Sequence, residues 1–148
     1  MDDVVSVEAS SCNTAAIKKD GSLWIWGNNG FDDIKTIPEK IMDGIKSVTL
    51  GDIVGNLRVS VIKNDGSLWV WGNNGYGQLG LGVSDSQYNT PQHLLPPDGY
   101  RFTSIDIGPG PQGGGHVLAT LALVPEPTSL SILAIGAAGL LLRRRSAA

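Results

Sequence analysis

Short segments in which apolar and polar residues alternate recur three times along the chain. They are VVSVEAS (Val4–Ser10), IKSVTLG (Ile45–Gly51) and FTSIDIG (Phe102–Gly108). An alternation with a period of two residues is typical of a β-strand. The three segments therefore predict equivalent strands, one in each of three consecutive units.

A second kind of apolar segment has no polar residue at alternate positions. It occurs as LWIW at Leu23–Trp26 and as LWVW at Leu68–Trp71. A strand of this composition needs cover on both faces. A two-layer sandwich would leave one face in water, whereas sheets that stack like blades cover both. The pattern therefore favours stacked sheets.

These strands lie inside a duplication. Lys18–Gly30 (KKDGSLWIWGNNG) and Lys63–Gly75 (KNDGSLWVWGNNG) are identical at 11 of 13 positions and start 45 positions apart. Self-similarity with a period of about 20–50 residues is typical of units that cannot bury their own apolar surface alone. The Asp-Gly pair in both copies favours a two-residue hairpin turn with positive φ at both positions. Each copy thus predicts strand, turn, strand, with the first strands at 15–18 and 59–63.

A further strand is expected downstream of each copy. Pro38–Ile41 and Pro91–Leu94 share a Pro-x-x-aliphatic pattern, and proline is tolerated on an edge strand because its missing N–H faces solvent. A unit then has about four strands, with units near 4–44 and 45–101. The third unit, 102–123, is incomplete, since its expected Asp-Gly turn and Trp-x-Trp-Gly strand are missing from the sequence.

The composition changes after residue 123. Thr128–Leu142 contains no charged residue and is followed at once by Arg143, Arg144 and Arg145. Fifteen helical residues span about 22 Å, short of the ~30 Å hydrocarbon core, and bilayer thinning can bridge the difference. We therefore predict a short transmembrane helix at 128–142, with the arginines cytoplasmic and the body outside. The alternative is a buried C-terminal helix.

Charge and cysteine content narrow the function classes. The net charge is −3, and residues 1–124 carry 8 basic and 13 acidic side chains. An acidic body without a basic stripe argues against nucleic acid as a partner. Cys12 is the single cysteine, so no intramolecular disulfide is possible, and we expect it to be a small buried apolar residue.

No residue pattern indicates a catalytic, metal or cofactor site. His93 and His116 are the only histidines; we expect solvent or loop positions rather than a metal site or a triad base. Asp32-Asp33 is expected at a solvated loop tip, and weak Ca²⁺ binding is the alternative. Because alternate strand residues point to opposite faces, we expect the four tryptophans in the core between blades rather than on a stacking surface for sugars or peptides.

The fullest copy of the unit, DGSLWVWGNNGYGQLGLG at Asp65–Gly82, resembles the regulator of chromosome condensation repeat. Gly77-Gln78-Leu79-Gly80 is the most specific part, and the first unit lacks it. The resemblance covers about residues 4–120. It implies a β-propeller, normally of seven blades, so we expect an all-β partial propeller of about two and a half four-stranded blades over residues 1–123. The residues expected to form its repeat core are Asp20, Gly21, Trp24, Trp26, Gly27, Asp65, Gly66, Trp69, Trp71, Gly72, Gly77, Gln78, Leu79 and Gly80.

The segment 124–148 resembles a PEP-CTERM sorting signal. It has Val-Pro-Glu-Pro at Val124–Pro127, a short apolar stretch and an arginine cluster, in that order. The resemblance implies that Pro125, Glu126 and Pro127 are recognised by an exosortase-type processing enzyme. It also implies an envelope or extracellular product in a Gram-negative-type bacterium.

Together these features predict a non-catalytic surface or matrix module with a protein or polysaccharide ligand. The alternative is the C-terminal fragment of a larger extracellular propeller enzyme, a hydrolase or lyase with its active site upstream. A fragment is expected because Met1 lies almost directly before a strand, without a signal peptide, and because two and a half units do not close a ring. A short chain that oligomerises is the other explanation. The sorting tail disfavours an intracellular exchange factor for a GTPase.

Overall fold

The protein consists of short antiparallel strands arranged in three consecutive sheets. A computed structural model describes residues 1–28, 34–51, 57–84, 87–108 and 115–125. The strands are β1 (Val4–Ala9), β2 (Asn13–Lys18), β3 (Leu23–Asn28), β4 (Ile34–Met42), β5 (Ile45–Gly51), β6 (Arg58–Lys63), β7 (Leu68–Asn73), β8 (Gln87–Leu94), β9 (Tyr100–Ile107) and β10 (Val117–Leu123). Their order is β1-β2-β3-β4, then β5-β6-β7-β8, then β9-β10.

This arrangement confirms the predicted all-β fold of two four-stranded units and one incomplete unit. The proline-containing strands β4 and β8 are the outermost strands of their sheets, as expected for edge strands. The predicted helix 128–142 lies outside the described residues. Within the part of the chain that the structure describes, no helix is long and apolar enough to span a membrane.

The hairpin turns differ from the prediction in one respect. Gly21 and Gly66 have φ values of +81° and +84°, whereas Asp20 and Asp65 are not among the residues with positive φ. The amide of Gly21 donates to the carbonyl of Lys18 at 2.8 Å, and the amide of Lys18 donates to the carbonyl of Ser22 at 3.0 Å. The connection is therefore a β-turn followed by a left-handed glycine, a three-residue loop rather than the predicted type I′ pair.

Two apolar layers join the three units. The first packs the inner face of unit one against unit two, with Ile17, Leu23 and Ile25 meeting Val48, Val59, Val61 and Trp71 among others. The second packs Ile62, Leu68 and Val70 of unit two against Phe102, Ile105 and Val117 of unit three. Residues 45 positions apart thus play the same part in successive layers. The sheet of unit two is covered on both faces, as its strand LWVW predicts, because it lies between units one and three.

The outward face of unit one is exposed. Val7 pairs with Ala16, and Val48 pairs with the equivalent residue Val61. Val48 lies against unit one and is 8 % exposed, whereas Val7 is 59 % exposed. The same apolar position is therefore buried where a neighbouring sheet covers it and open where none does.

The outward face of unit three has a different character. The Thr120 hydroxyl lies 2.8 Å from that of Thr103 and 2.6 Å from that of Ser104. Thr120 is exposed at the strand position that the buried Ile62 occupies in unit two, and Leu118 and Leu121 of β10 are exposed as well.

Candidate functional site

Both duplicated turns contain the same chain of side-chain hydrogen bonds. Asp65 Oδ1 accepts from the Ser67 amide at 2.9 Å and from the Ser67 hydroxyl at 2.6 Å, and Trp69 Nε1 donates to that hydroxyl oxygen at 3.1 Å. In unit one, Asp20, Ser22 and Trp24 make the same three bonds, at 2.9, 2.6 and 2.9 Å. The Asp-Gly-Ser-Leu-Trp sequence is thus a structural motif whose polar groups satisfy one another.

The aspartates of this motif have shifted acidity. The hydrogen bond from the Ser22 side chain, followed by that from its amide, lowers the pKa of Asp20 below its ordinary value. The corresponding bonds from Ser67 lower the pKa of Asp65. Both shifts arise because the bonds favour the ionised carboxylate. The hydrogen bonds that lower the pKa also hold the carboxylates in the turns, which fits a structural role.

The glycine after each second tryptophan is fixed by the backbone. Gly27 and Gly72 have φ values of +119° and +110°. A Cβ at Gly72 would overlap the carbonyl oxygen of Leu57, and one at Gly27 would overlap that of Cys12. The Cys12 carbonyl accepts a hydrogen bond from the amide of Asn28, and the Leu57 carbonyl accepts one from the amide of Asn73, each at 2.9 Å. Trp-Gly is therefore required by a close approach of two strands.

The Gly-Gln-Leu-Gly segment organises the loop after β7. Gln78 accepts from the amide of Tyr76 at 2.8 Å through Oε1 and donates to Asn73 Oδ1 at 2.6 Å. Its own carbonyl accepts from the amide of Val117 in unit three at 3.0 Å. Gln78 therefore holds the loop and links two units.

Asn74 completes this network, although it is not among the residues that the sequence predicts for the repeat core. Its Oδ1 accepts from the amide of Leu79 at 3.0 Å, and its Nδ2 donates to the carbonyl of Val83 at 2.8 Å. The side chains of Asn74, Gln78 and Leu79 are buried. The signal in the sequence is the spacing between Asn74 and the Gly-Gln-Leu-Gly motif. Because this motif occurs only in unit two, the spacing is not repeated and does not stand out.

The tryptophans are less buried than expected. Trp71 lies in the core between units one and two, but Trp24, Trp26 and Trp69 are only half-buried. The core positions of β3 and β7 are instead taken by Leu23, Ile25, Leu68 and Val70. Trp24 and Trp69 sit beside the turn motif, each with a lysine ammonium 5.9 or 5.8 Å from its ring centre. Trp26 is half-buried, whereas its equivalent Trp71 is buried in the layer between units one and two.

A small cleft opens between units one and two. Its volume is about 110 Å³, and Trp26, Trp71 and Asn89 are among its lining residues. Lys35 and Glu39 of β4 also line it and form an ion pair of 3.5 Å. The cleft thus offers indole and charged groups within one recess.

The histidines and the cysteine lie at separate places on the surface. The His93 ring stacks on Trp69 with 4.6 Å between ring centres and 11° between planes; it lies on β8 and not in a loop. His116 is exposed just before β10. Cys12 is exposed, so the prediction that it is buried is wrong: it lies in the β1–β2 connection, outside both apolar layers. In the described ranges no three His, Cys, Asp or Glu side chains cluster as metal ligands would.

The folded body ends at the predicted sorting motif. β10 ends at Leu123, and the amide of Val124 donates to the carbonyl of Gly99 at 2.7 Å. Pro125 is the last described residue, and it is exposed. Asp32, Asp33, Glu126, Pro127, Arg143, Arg144 and Arg145 lie outside the described residues.

An open cavity of about 400 Å³ lies beside this end of β10. It is lined by Leu95, Tyr100, Arg101 and Val124 together with residues of the second Asp-Gly turn. Leu123 pairs with Tyr100 across β9 and β10. We call Leu95, Tyr100, Arg101, Leu123 and Val124 the exit surface, because they lie where the described part of the chain ends.

Comparison with known families identifies both parts of the chain. Models of the "Regulator of chromosome condensation (RCC1) repeat" match residues 65–110 and 4–32, which together are about half of the chain. The model of the "PEP-CTERM protein-sorting motif" matches residues 123–145. The order is repeats first and sorting motif after them, as the sequence predicted.

Solved structures share the fold. The matches include yeast RCC1 (Prp20) in its complex with Kap60, at 24 % identity and a TM-score of 0.56 over 69 % of this chain and 25 % of that one. Human WBSCR16 has 22 % identity and a TM-score of 0.60 over 84 % and 35 % of the two chains. Prp20p from Saccharomyces cerevisiae, solved in a study of its binding to Gsp1p and histones, has 15 % identity and a TM-score of 0.65 over 83 % and 32 %. The chain thus spans a quarter to about a third of these structures. No match is found among curated protein sequences.

Proposed function

Because the chain belongs to the RCC1 repeat family and carries a PEP-CTERM sorting motif, we propose that it is a surface or extracellular-matrix interaction module. The sorting motif implies export to the cell envelope. An exosortase-type enzyme recognises Pro125, Glu126 and Pro127 and processes the tail, in a Gram-negative-type bacterium. The apolar stretch 128–142 tethers the chain to the inner membrane before processing.

The observation that carries this proposal is the junction between body and tail. The last strand ends at Leu123, and the sorting-motif match begins at the same residue. Val124 is still bonded to the body, whereas Pro125 is exposed. Removal of the chain beyond Pro125 would leave every described strand intact. This supports a body that is delivered whole while its tail serves only for sorting.

A binding role rather than catalysis is supported by how the polar side chains are used. In the described repeats, the aspartates and serines of the turns, together with Asn74 and Gln78, are hydrogen-bonded to neighbouring protein groups. These bonds hold the turns and loops in place. The polar groups of the motif are therefore engaged in structure, which fits a scaffold that presents its surface to a ligand.

The ligand class that we propose is protein or polysaccharide. The cleft with Trp26 and Trp71 beside the Lys35–Glu39 pair offers an aromatic and a charged surface in one place. Such a combination of indole and ionic groups suits sugars and polar peptides. The net negative charge of the body disfavours nucleic acid.

Cell fractionation tests the proposal. The full chain is produced in a bacterium that has an exosortase, next to a variant that lacks residues 126–148. We expect the full chain in the envelope and extracellular fractions and the truncated variant absent from the membrane. The same distribution for both would contradict a sorting role for the tail.

A further inference from the structure

The exit surface is an exposed apolar patch at the point where the tail begins. Leu95 is 76 % exposed and Leu123 is 65 % exposed, and Tyr100 and Val124 are also exposed. Leu95, Tyr100 and Val124 line one open cavity of about 400 Å³. Leu123 pairs with Tyr100 on the adjoining strand. These side chains come from the β8–β9 connection and from one end of the β9–β10 pair, where β9 begins and β10 ends, so the fold gathers them into one surface.

The chain itself restricts what can lie against this surface. Val124 is held to the body by its bond to Gly99, and only Pro125, Glu126 and Pro127 separate it from the apolar stretch 128–142. The four steps along the chain from Val124 to Thr128 reach at most about 14 Å, even when fully extended. If the apolar stretch enters a bilayer, the exit surface must lie within that distance of it.

The chemistry of the surface suits the interfacial layer of a bilayer. Leucine and valine side chains bury favourably in the acyl boundary, and tyrosine is enriched at the level of the headgroups. Arg101 can extend its guanidinium to lipid phosphates while its aliphatic part stays beside Gly66, where an added Cβ would lie 2.9 Å from the Arg101 Cβ. Two carboxylates border the patch, Asp65 in the cavity and Asp98 in the turn before β9. Their presence favours a shallow position among the headgroups.

We propose that the exit surface docks the body onto the outer leaflet of the membrane while the tail is inserted. The body is then held in one orientation, with Leu95, Tyr100, Leu123 and Val124 at the lipid and the outward face of unit one away from it. The Pro-Glu-Pro motif consequently lies at the membrane surface, where an exosortase-type enzyme meets it. This inference rests on the proposed insertion of the tail.

The test places an environment-sensitive fluorophore at single cysteines of the full chain. In a Cys12→Ser background, Leu95→Cys carries the probe on the exit surface, and Val7→Cys carries it on the exposed face of unit one. Both proteins are reconstituted into vesicles of phosphatidylethanolamine and phosphatidylglycerol, and circular dichroism checks that each keeps its β spectrum. We expect the emission at position 95 to shift to shorter wavelength and to become protected from aqueous iodide on vesicle binding. The probe at position 7 should remain quenched.

Sedimentation with the vesicles distinguishes docking by the exit surface from tethering by the tail. If the chain sediments with the vesicles but the probes at 95 and 7 are equally quenched, docking by the exit surface is wrong while tethering by the tail stands. If the chain does not sediment with the vesicles, both the tether and the docking are wrong. A third probe is placed at Tyr100→Cys, with and without the double substitution Leu95→Ser and Leu123→Ser. Both proteins should sediment with the vesicles through the tail. The probe should be protected from iodide on the unsubstituted surface and quenched in the double variant.

Discussion

The backbone amide of Phe102 donates a hydrogen bond of 3.2 Å to the carbonyl oxygen of Gly66, in the hairpin turn of the preceding unit. The amide of Ile45 makes the same bond to Gly21, at 2.9 Å. Each Asp-Gly turn therefore also anchors the first strand of the next unit. The duplicated motif fixes both the hairpin within a unit and the contact between units, so changes within it should affect the whole body.

Gly72→Ala should destabilise the body more than Gly80→Ala. Both glycines have positive φ, which costs an alanine about 1–2 kcal/mol. At Gly72 the new Cβ also overlaps the carbonyl oxygen of Leu57, whereas nothing lies within 4 Å of a Cβ at Gly80. We expect the free energy of unfolding to fall by at least about 1 kcal/mol more for Gly72→Ala. Urea unfolding measures both, and equal losses would show that the close approach is unimportant.

Asn74→Ala should remove a buried anchor of the loop after β7. The amide of Leu79 would lose its acceptor and the carbonyl of Val83 its donor. The Leu79 amide is buried, and leaving such a group unsatisfied costs about 1–3 kcal/mol, whereas Val83 is exposed and its carbonyl can bond to water instead. We expect a loss in that range by urea unfolding, and less than about 0.5 kcal/mol for Asn89→Ala on the exposed part of β8. Similar values for the two variants would contradict the structural role of Asn74.

Val48→Ala and Val7→Ala compare one position of the repeat with and without a neighbouring sheet. Val48 is buried against unit one, and Val7 is exposed. Removing two buried methyl groups costs about 2 kcal/mol once the cavity is included, whereas the exposed change should stay within about 0.5 kcal/mol. A large loss at Val7 would instead reveal that a second surface covers unit one in solution, which sedimentation equilibrium would detect.

The turn aspartates should make the body sensitive to acid. Hydrogen bonds from the serines lower the pKa of Asp20 and Asp65 below the ordinary value of 3.8. A group whose pKa is lower in the folded state adds stability above its unfolded pKa, and that stability is lost as the pH falls through the folded pKa. The Asp20→Asn, Asp65→Asn double variant should therefore lose less Tm between about pH 5 and pH 2 than the unchanged protein. Asp2→Asn, outside the turns, is the control; the same pH dependence in all three proteins would overturn the assignment.

Much of the fold follows from short-range patterns in the sequence. The alternation in Ile45–Gly51 and the Asp-Gly pair at Asp65 specify strands and a hairpin through interactions between near neighbours. The exact turn was not predictable, because the Asp65 carboxylate bonds to Ser67 and the turn takes three residues. The half-buried state of Trp69 also depends on its neighbours, since His93 and Lys63 lie against its ring at the margin of the apolar layer between units one and two.

The features of the exit surface and of the Asn74 network depend on long-range pairing. Leu95 and Val124 meet only because β9 pairs with β10, and a single sequence does not give that register. The glycine of Trp-Gly was expected as a repeat position, but its reason, the approach of Leu57 to Gly72, lies at the end of the β6–β7 pairing, where Arg58 pairs with Gly72. By contrast, the sorting motif is linear, so the residues alone identify it.

The central claim is that the folded body lies outside the cytoplasm, and Cys12 offers a direct test. It is the only cysteine of the chain, and it is exposed on the body. Intact cells that produce the full chain are treated with a maleimide that crosses the outer but not the inner membrane, and Cys12→Ser is the control for background labelling. The account predicts that Cys12 is labelled in intact cells as fully as after lysis. Labelling that appears only after lysis would place the body in the cytoplasm and contradict export.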